Sequence, residues 1–244
     1  MKNKKAFAII GVSAKEDIIR ELERLDFEVI SLSNFQRLPS PVASHADMLM
    51  FPIDNKIFLS RDYAPFCKEL LERLKRNSYD IVICDCDIKN EYPFDVCFNA
   101  ARVGKNIFAN TKYICSDIKR YIEGSSYSLH HVKQGYTKCS TVILSENAII
   151  TADTGIAKKA SELGIDVLTV NNSHDAVLLD GYDYGFLGGA CGLYDGTLYF
   201  CGDISRHPDH NKILEFCNAH GVKLYSLSGA QLQDVGGIFF LEQA

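Results

Sequence analysis

The stretch CSTVILSENAIITADTGIAKKASELGIDVLTV, residues 139–170, contains one complete structural unit of this chain. Two short apolar runs flank the turn Glu146-Asn147, a pattern typical of a β-hairpin. A helical pattern follows and stops at Gly164, and a third apolar run comes after it. We predict strands at Thr141–Leu144, Ala148–Thr151 and Asp166–Val170, and a helix at Thr154–Leu163.

The same succession of strand, turn, strand, helix and strand recurs along the chain with a period of about 45 to 50 residues. One copy has predicted strands at Met48–Phe51, Lys56–Leu59 and Asp80–Cys84, with a helix ending near Asn77. Another has strands at Ala190–Tyr194, Thr197–Cys201 and Val222–Leu227, with a helix at Asp209–Ala219. A weaker copy runs from Phe94 through Ile107-Phe108 and a helix near Ser116–Ile122 to a strand at Ser128–Val132.

The remaining copy is divided between the two ends of the chain. Its first strand is predicted at Ile238–Leu241, and Ala6–Gly11, a helix at Lys15–Leu25 and a strand at Phe27–Leu32 supply the rest. A unit completed by both ends closes a ring and needs no polar cap. The sequence therefore predicts an α/β fold, a five-bladed α/β propeller of pseudo-fivefold ββαβ repeats, as a single domain over residues 1–244.

A dinucleotide-binding fold is the competing interpretation of the first strand and helix. The segment Gly11-Val12-Ser13-Ala14 lacks the G-x-G-x-x-G pattern that lets a pyrophosphate approach the backbone. Hairpins that recur before each helix also argue against a purely parallel sheet.

Composition excludes several classes of protein. The 244 residues have a formal net charge of −5, and no run of Lys or Arg follows the first five residues. We therefore expect no nucleic-acid partner and no membrane partner. The apolar run at residues 6–12 is shorter than a secretory core, which indicates a cytoplasmic protein. Nine cysteines, an odd number, are expected to be thiols, mostly buried.

Cys84 and Cys86 form a C-x-C pair of the kind that can bind a metal. Both lie at the end of a predicted strand at Ile81–Cys86, and the sequence shows no second pair and no nearby His to complete four ligands. The prediction is therefore core packing and no metal site.

In a ring of such units, the starts of the first strands would line a central channel. Polar and reactive residues gather at these positions, which are Ser44–Asp47, Phe94-Asp95, Lys138–Thr141, Gly188–Cys191 and Asp234–Gly237.

Two of these positions resemble motifs of the pentein superfamily, which includes arginine and agmatine deiminases, dimethylarginine hydrolase, amidinotransferases and the non-enzymatic translation initiation factor six. His45-Ala46-Asp47 looks like the His-x-Asp that supplies a general acid/base in its guanidine-modifying enzymes. Gly135-Tyr136-Thr137-Lys138-Cys139-Ser140-Thr141 looks like the Gly-x-x-x-Cys-x-Thr that supplies their nucleophile.

The chain departs from that pattern in one respect. Those enzymes usually carry the cysteine in the C-terminal strand after Gly-Gly, whereas Gly236-Gly237-Ile238-Phe239-Phe240 contains no thiol. His45 and Cys139 start units that are two apart, as the two motifs do in the family, so the site would be rotated around the ring.

The leading hypothesis is a cysteine-dependent hydrolase or transferase that acts on a small guanidino or amide compound in the central channel, without a cofactor. Attack on a guanidinium carbon needs a thiolate, an imidazole and carboxylates that hold the cation. The predicted catalytic residues are Cys139, His45 and Asp47, and the predicted substrate-binding residues are Asp234, Ser140, Lys138, Gly188 and Gly189.

The alternative is a non-catalytic binding or assembly module. Each residue also has a purely structural interpretation, because buried thiols, hydrogen-bonded His and Asp, and turn residues are common without catalysis. Lys138 would lower the thiol pKa only if its side chain converged with that of Cys139, and adjacent strand residues point to opposite faces. The sequence leaves the substrate and the oligomeric state open.

Overall fold

The computed structural model describes residues 6–243 and contains five three-stranded β-sheets, each with a helix between its second and third strands. The elements are β1 Ala6–Gly11, α1 Glu16–Arg24, β2 Glu28–Leu32, α2 Ala46–Leu49, β3 Met50–Ile53, β4 Lys56–Ser60, α3 Lys68–Arg76, β5 Asp80–Cys84, β6 Ala101–Val103, β7 Asn106–Ala109, α4 Ser116–Glu123, β8 Ser128–His131, β9 Thr141–Ser145, β10 Ala148–Thr151, α5 Thr154–Glu162, β11 Asp166–Thr169, β12 Cys191–Tyr194, β13 Thr197–Phe200, α6 His210–Ala219, β14 Lys223–Ser226 and β15 Phe239–Glu242.

All five sheets have the same connectivity. The first strand pairs antiparallel with the middle strand, and the third strand, which follows the helix, pairs parallel with it on the other side. Four sheets are continuous in sequence, in the orders β3-β4-β5, β6-β7-β8, β9-β10-β11 and β12-β13-β14. The mixed pairing rules out the competing doubly wound parallel sheet.

The fifth sheet has the order β15-β1-β2 and unites the two ends of the chain. Phe7 pairs with Leu241 and Ile9 with Phe239 in antiparallel register. The predicted joining of the C-terminal strand to the N-terminal unit is therefore confirmed. Among first strands, β6 contacts β9, β9 contacts β12 and β12 contacts β15.

Local chemistry explains the boundaries within a unit. The carboxylate of Asp153 accepts a hydrogen bond from the Ile156 amide at 2.8 Å and caps the start of α5. The unit's helix is followed by Gly164 at φ +75°, a backbone conformation that glycine adopts without strain. The turn Asp195-Gly196 has positive φ at both residues, as a tight hairpin requires.

The structure corrects the prediction of a strand starting at Met48. Residues Ala46–Leu49 form one helical turn, and the strand begins at Met50. The turn is held by the Met48 amide, which donates to the His45 carbonyl at 3.1 Å, and by the Asp47 amide, which donates to the Gly236 carbonyl at 3.3 Å. His45 precedes this turn and Asp47 lies in it, and atoms of their two side chains lie within 4.8 Å of each other.

The weak copy was predicted to start too early. Its first strand begins at Ala101, not near Phe94, and residues 85–100 form a long connection from β5 to β6. Its helix and its third strand lie where the sequence predicts them, at Ser116–Glu123 and Ser128–His131.

Within residues 6–243, no helix has the length and apolar character needed to cross a bilayer.

Phe27 connects three parts of the molecule. Its fully buried ring packs against Tyr194 and Tyr199 of the β12-β13 hairpin, with ring centroids 5.4 and 5.3 Å away, and against Phe240 of β15 at 4.8 Å. Aromatic clusters of this kind bury large apolar areas.

Replacing Phe27 by Ala should lower the free energy of unfolding by about 3–5 kcal/mol, the usual cost of a cavity of this size in a core. Urea denaturation of both proteins measures the difference. Leu214→Ala, on the exposed side of α6, is the control and should cost less than about 1 kcal/mol. Equal, small effects of the two changes would show that Phe27 does not hold these elements together.

Candidate active site

Three of the predicted positions converge at one place in the fold. Cys139 lies just before β9, His45 and Asp47 lie at the turn before β3, and Asp234 lies before β15. All four residues are buried, from Asp47, which has no exposed surface, to Cys139, which is 3% exposed. The starts of three separate sheets therefore supply one group of reactive side chains.

The thiol of Cys139 contacts the carboxyl group of Asp47 directly. Sγ donates to Oδ2 across 2.8 Å, and the other oxygen, Oδ1, has no hydrogen-bond partner among residues 6–243. A buried carboxyl group with one free oxygen is costly unless it is protonated or a ligand completes it. This pair is the chemical centre of the site.

Asn99 orients Cys139 from the connection before β6. Its Nδ2 donates to Cys139 Sγ at 3.3 Å and its Oδ1 accepts from the Lys138 amide at 2.6 Å. Because the carbonyl oxygen is held by the backbone, the amide hydrogens must face the sulfur. Such a donor stabilises a thiolate.

The imidazole of His45 is buried, and its nitrogens make no hydrogen bonds within residues 6–243. Nδ1 lies 3.8 Å from Asp234 Oδ1. Atoms of His45, Asp47 and Cys139 lie within 4.8 Å of one another. An unpartnered buried imidazole within reach of a thiol is a group available to a bound molecule.

Asp234 is held in place by backbone amides. Oδ2 accepts from the Phe186 amide at 2.8 Å and Oδ1 from the Gly236 amide at 3.0 Å. Gly189 packs so closely against this carboxylate that no Cβ would fit, and Gly236, at φ +77°, packs equally closely against His45. These glycines let the tail of the chain approach the imidazole.

Burial dominates the protonation states. Burial raises the pKa of Asp47 to about 7, against the opposing charge of Lys138. Burial, and then the carboxyl groups of Asp47 and Asp234, raise the pKa of the Cys139 thiol well above its ordinary value. Burial lowers the pKa of His45, and Asp234 only partly offsets it. In the absence of ligand, the site therefore holds a neutral thiol and a neutral imidazole at pH 7.

A cavity of about 230 Å³ opens onto these groups. His45, Cys139 and Asp234 contribute to its wall, together with Val42, Met48, Tyr136, Leu179, Tyr182, Asp183, Tyr184 and Phe186. None of the lining residues that the structure describes is Lys or Arg, and four are aromatic. Carboxylates and aromatic faces together favour a cationic ligand.

A third buried carboxyl group, that of Asp95, supports this wall. The Tyr136 hydroxyl donates to Asp95 Oδ2 at 2.8 Å, and the Tyr136 ring lies 6.3 Å from that of Phe186 across the cavity. Asp95 has no exposed surface, and its burial raises its pKa against the effect of the Tyr136 hydroxyl.

Lys138 points away from this cavity. Its Nζ donates to the Gly188 carbonyl at 3.0 Å and lies 5.9 Å from the centre of the Phe239 ring. It lines a second cavity of about 350 Å³, whose wall includes residues of the first strands of all five sheets: Phe51, Arg102, Val142, Gly192 and Phe240 among them. Lys138 and Cys139 therefore face different cavities, although both lie in the turn at residues 137–140 and not in an extended strand.

Of the predicted binding residues, Asp234 lines the first cavity, whereas Ser140, Gly188 and Gly189 do not. The Ser140 hydroxyl is buried and lacks a hydrogen-bond partner within the described chain. Gly188 packs against the carbonyl groups of Cys139 and Thr141, and Gly189 packs against Asp234. Both glycines therefore allow close packing beside the site without lining the cavity.

Sequence reasoning missed Asn99 and the segment that carries Tyr182, Asp183, Tyr184 and Phe186. A signal for the first was present, because Asp47, Cys139 and Gly188 each precede their hairpin turn by the same number of residues. Counting back the same number of residues from the turn at Gly104 leads to Cys97, which lies two residues before Asn99. No comparable signal marks the aromatic segment, since it lies outside the repeated unit.

Comparison with solved structures shows the fold. An amidinotransferase from Microseira wollei in the saxitoxin biosynthetic pathway is similar with a TM-score of 0.62 at 11% identity, over 99% of this chain and 95% of that one. DDAH from Pseudomonas aeruginosa, complexed with citrulline, is similar at 0.58 and 11% identity, over 96% of both chains. Agmatine deiminase from C. jejuni is similar at 0.57 and 6% identity, over 99% of this chain and 94% of that one.

No curated protein matches the sequence. At 6–11% identity this likeness is one of fold, and at that level it confirms the resemblance to the pentein superfamily inferred from the sequence. A family model described as "Family of unknown function (DUF6873)" matches residues 9–239, and this chain belongs to that family.

Proposed function

We propose that this protein is a cysteine-dependent enzyme that modifies a small guanidino compound in the cavity beside Cys139. The observation that carries the proposal is the 2.8 Å contact between the Cys139 thiol and the Asp47 carboxyl group, next to the unpartnered imidazole of His45. A thiol, a base and a second proton carrier are the groups that nucleophilic attack on a C–N bond requires.

We propose also that the five sheets form a ring around one axis. The antiparallel pairing of β15 with β1 supports it, as does the second cavity, whose wall draws on the first strands of all five sheets. In such a ring the two cavities lie at opposite ends of the axis, with Cys139 facing one and Lys138 the other.

The ligand class follows from the wall of the first cavity. Asp234 and Asp183 offer carboxylates, and Tyr136 and Phe186 offer aromatic faces. A planar guanidinium ion pairs with carboxylates through parallel hydrogen bonds and stacks on aromatic rings. The similar solved structures, an amidinotransferase, a DDAH complexed with citrulline and an agmatine deiminase, support this class.

The first step forms a bond between sulfur and carbon. The cationic substrate lowers the pKa of the thiol, and the Cys139 proton moves to Asp47 as the sulfur attacks the guanidinium carbon. The C–N bond to the leaving amine then breaks, and the amine receives the proton that Asp47 holds, relayed by His45. An amidino group remains attached to Cys139 as a cationic thiouronium.

The second step releases the product. Neutral His45, the form that burial favours, takes a proton from water as the oxygen attacks the amidino carbon. The C–S bond breaks, the electron pair goes to sulfur, and the sulfur takes the proton that His45 holds, while the proton of the new hydroxyl group goes to the released amine. In total, guanidinium and water give a ureido group and an ammonium ion. An amine in place of water would give transfer of the amidino group.

A second candidate function, a non-catalytic binding module, is favoured by the raised pKa of the thiol. A resting thiolate would have argued against it, and burial keeps Cys139 neutral without ligand. The two candidates differ in whether Cys139 reacts.

Covalent labelling tests the nucleophile and the ligand class together. 2-Chloroacetamidine, a cation, should alkylate Cys139 faster than neutral chloroacetamide by on the order of tenfold or more, because the carboxylates attract the cation. Mass spectrometry of the intact protein and of its peptides measures the rates and the site. Cys139→Ala should lose the label, and Cys191→Ala, which removes another buried thiol, should keep it. Equal rates for both reagents, or label elsewhere, would contradict the proposal.

The pH dependence tests Asp47 as the base. With a pKa of about 7, Asp47 is protonated below that pH and cannot accept the thiol proton. The rate of 2-chloroacetamidine labelling in the wild type should therefore rise with pH through an inflection near 7. Asp47→Asn should remove the inflection, whereas Asp180→Asn, a change at an exposed residue, should keep it. An inflection unchanged in Asp47→Asn would assign the base elsewhere.

Turnover of guanidino compounds tests catalysis itself. A panel of alkyl guanidines, amino acid guanidines and amidines is incubated with the protein, and release of ammonium or amine is measured. Cys139→Ser should lower kcat by a thousandfold or more, on the order found when a covalent nucleophile is removed. Saturable binding of a guanidino compound without turnover by the wild type would favour the binding module.

A further inference from the structure

Four cysteines that the proposed reaction does not use lie close together in the fold. Cys84 ends β5, Cys86 and Cys97 lie in the connection from β5 to β6, and Cys115 immediately precedes α4. The Sγ atoms of Cys86 and Cys97 are 3.2 Å apart. Cys84, Cys115 and a carboxylate oxygen of Asp117 each lie within 4.8 Å of the other two. Three sequence segments thus bring their thiols together.

The thiols form one connected group. Cys115 is hydrogen bonded to both Cys84 and Cys86, and Cys86 is in turn bonded to Cys97. Four thiolates around a tetrahedral zinc ion at 2.3 Å are separated from each other by about 3.8 Å. In the structure the Sγ atoms of Cys86 and Cys97 are 3.2 Å apart and those of Cys84 and Cys115 lie within 4.8 Å of each other, but no three of the four sulfurs lie that close together, so a bound ion would draw the two pairs towards each other. A disulfide, by contrast, would join two of the sulfurs and leave two thiols unused.

Access and enclosure also fit a metal ion. Cys84, Cys97 and Cys115 are buried, whereas Cys86 is partly exposed and gives a path from solvent. The Cys97 carbonyl accepts a hydrogen bond from the Cys115 amide at 2.9 Å, which fixes two ligand-bearing segments relative to each other. Arg120 pairs with Asp117 at 2.7 Å and orients the nearest carboxylate. Backbone contacts and outer charges of this kind usually support a metal site.

We propose that Cys84, Cys86, Cys97 and Cys115 form a binding site for one thiophilic divalent cation, of which Zn²⁺ is the ion that prefers four thiolates in tetrahedral geometry. The sequence did not indicate it, because the C-x-C pair lacks a second pair, and two separate cysteines complete the set. The site joins the connection that carries Asn99 to β5 and α4. It stands independently of the proposed reaction at Cys139.

The test is a titration of the reduced, metal-free full chain with Co²⁺, followed by displacement with Zn²⁺. One equivalent should bind and produce thiolate-to-metal charge-transfer bands together with the visible bands of tetrahedral Co²⁺. The titration is carried out in the Cys139→Ser background, so that the group of His45, Asp47 and Cys139 does not contribute a thiolate. Absence of these bands would overturn the proposal.

Variants and protection then locate the ion. Cys97→Ser and Cys115→Ser should each weaken Co²⁺ binding by at least about tenfold, the size of effect found even for residues outside the ligand shell. Cys201→Ser and Cys217→Ser, which remove buried thiols just after β13 and in α6, should leave binding unchanged.

Alkylation of the protein without these substitutions gives a measurement that does not depend on how the variants fold. Bound Zn²⁺ should protect all four cysteines from alkylation, as mapped by peptide mass spectrometry, while Cys67 reacts at the same rate with and without metal. Protection of Cys67 to the same extent, or a Cys86–Cys97 disulfide in a protein that binds no Co²⁺ after reduction, would overturn the proposal.

Discussion

The antiparallel pairing of β15 with β1 is the constraint on which the site depends. It draws the tail of the chain across the start of β3, where the Gly236 carbonyl accepts a hydrogen bond from the Asp47 amide. The same tail carries Asp234 to within 3.8 Å of His45. Because three sheets meet at this point, no single segment of the sequence contains the site, and its geometry depends on the whole chain being folded.

Burial then decides the chemistry of the groups that the fold assembles. The Asp47 carboxyl group, the Cys139 thiol and the His45 imidazole lie close together and are buried, so burial drives each of these three groups towards its neutral form. The group as a whole lacks a positive charge at the cavity, since the Lys138 ammonium lies on the other side of its own backbone. A cationic ligand would supply that charge and, in doing so, would make the thiolate easier to form. Substrate binding and activation of the nucleophile would then be one event.

Much of the fold was predictable because local signals repeat. Hairpin turns, helix caps and glycines after the helices mark four units, and β5, β10 and β1 have the predicted bounds. The helical turn after His45 was not predictable from that stretch of sequence, because its stabilising partner, the Gly236 carbonyl, is remote in the chain. The start of the weak copy was predicted wrongly for a related reason. Residues 85–100 form a long connection before its first strand, and the repeat period of the other units gives no sign of it.

The sequence indicated which residues form the site, but it did not indicate in which direction each side chain points. Cys139, His45, Asp47 and Asp234 were found from their positions at strand starts, and the structure brings them together. Lys138 and Ser140 flank Cys139 in sequence, yet residues 137–140 form a turn that directs Lys138 to the second cavity and leaves Ser140 outside the wall of the first. Asn99 contributes no charge and no nucleophile, so only its contacts with Cys139 mark it as a participant.

Glycine at positions 189 and 236 has a consequence for how this protein would tolerate change. Neither residue can take part in proton transfer or in binding through a side chain, yet an added methyl group would displace Asp234 in one case and His45 in the other. A survey of every single substitution, scored by activity alone, would rank both glycines beside the nucleophile. Intolerance at these two sites would therefore report lack of space, and only the chemistry of their neighbours would explain it.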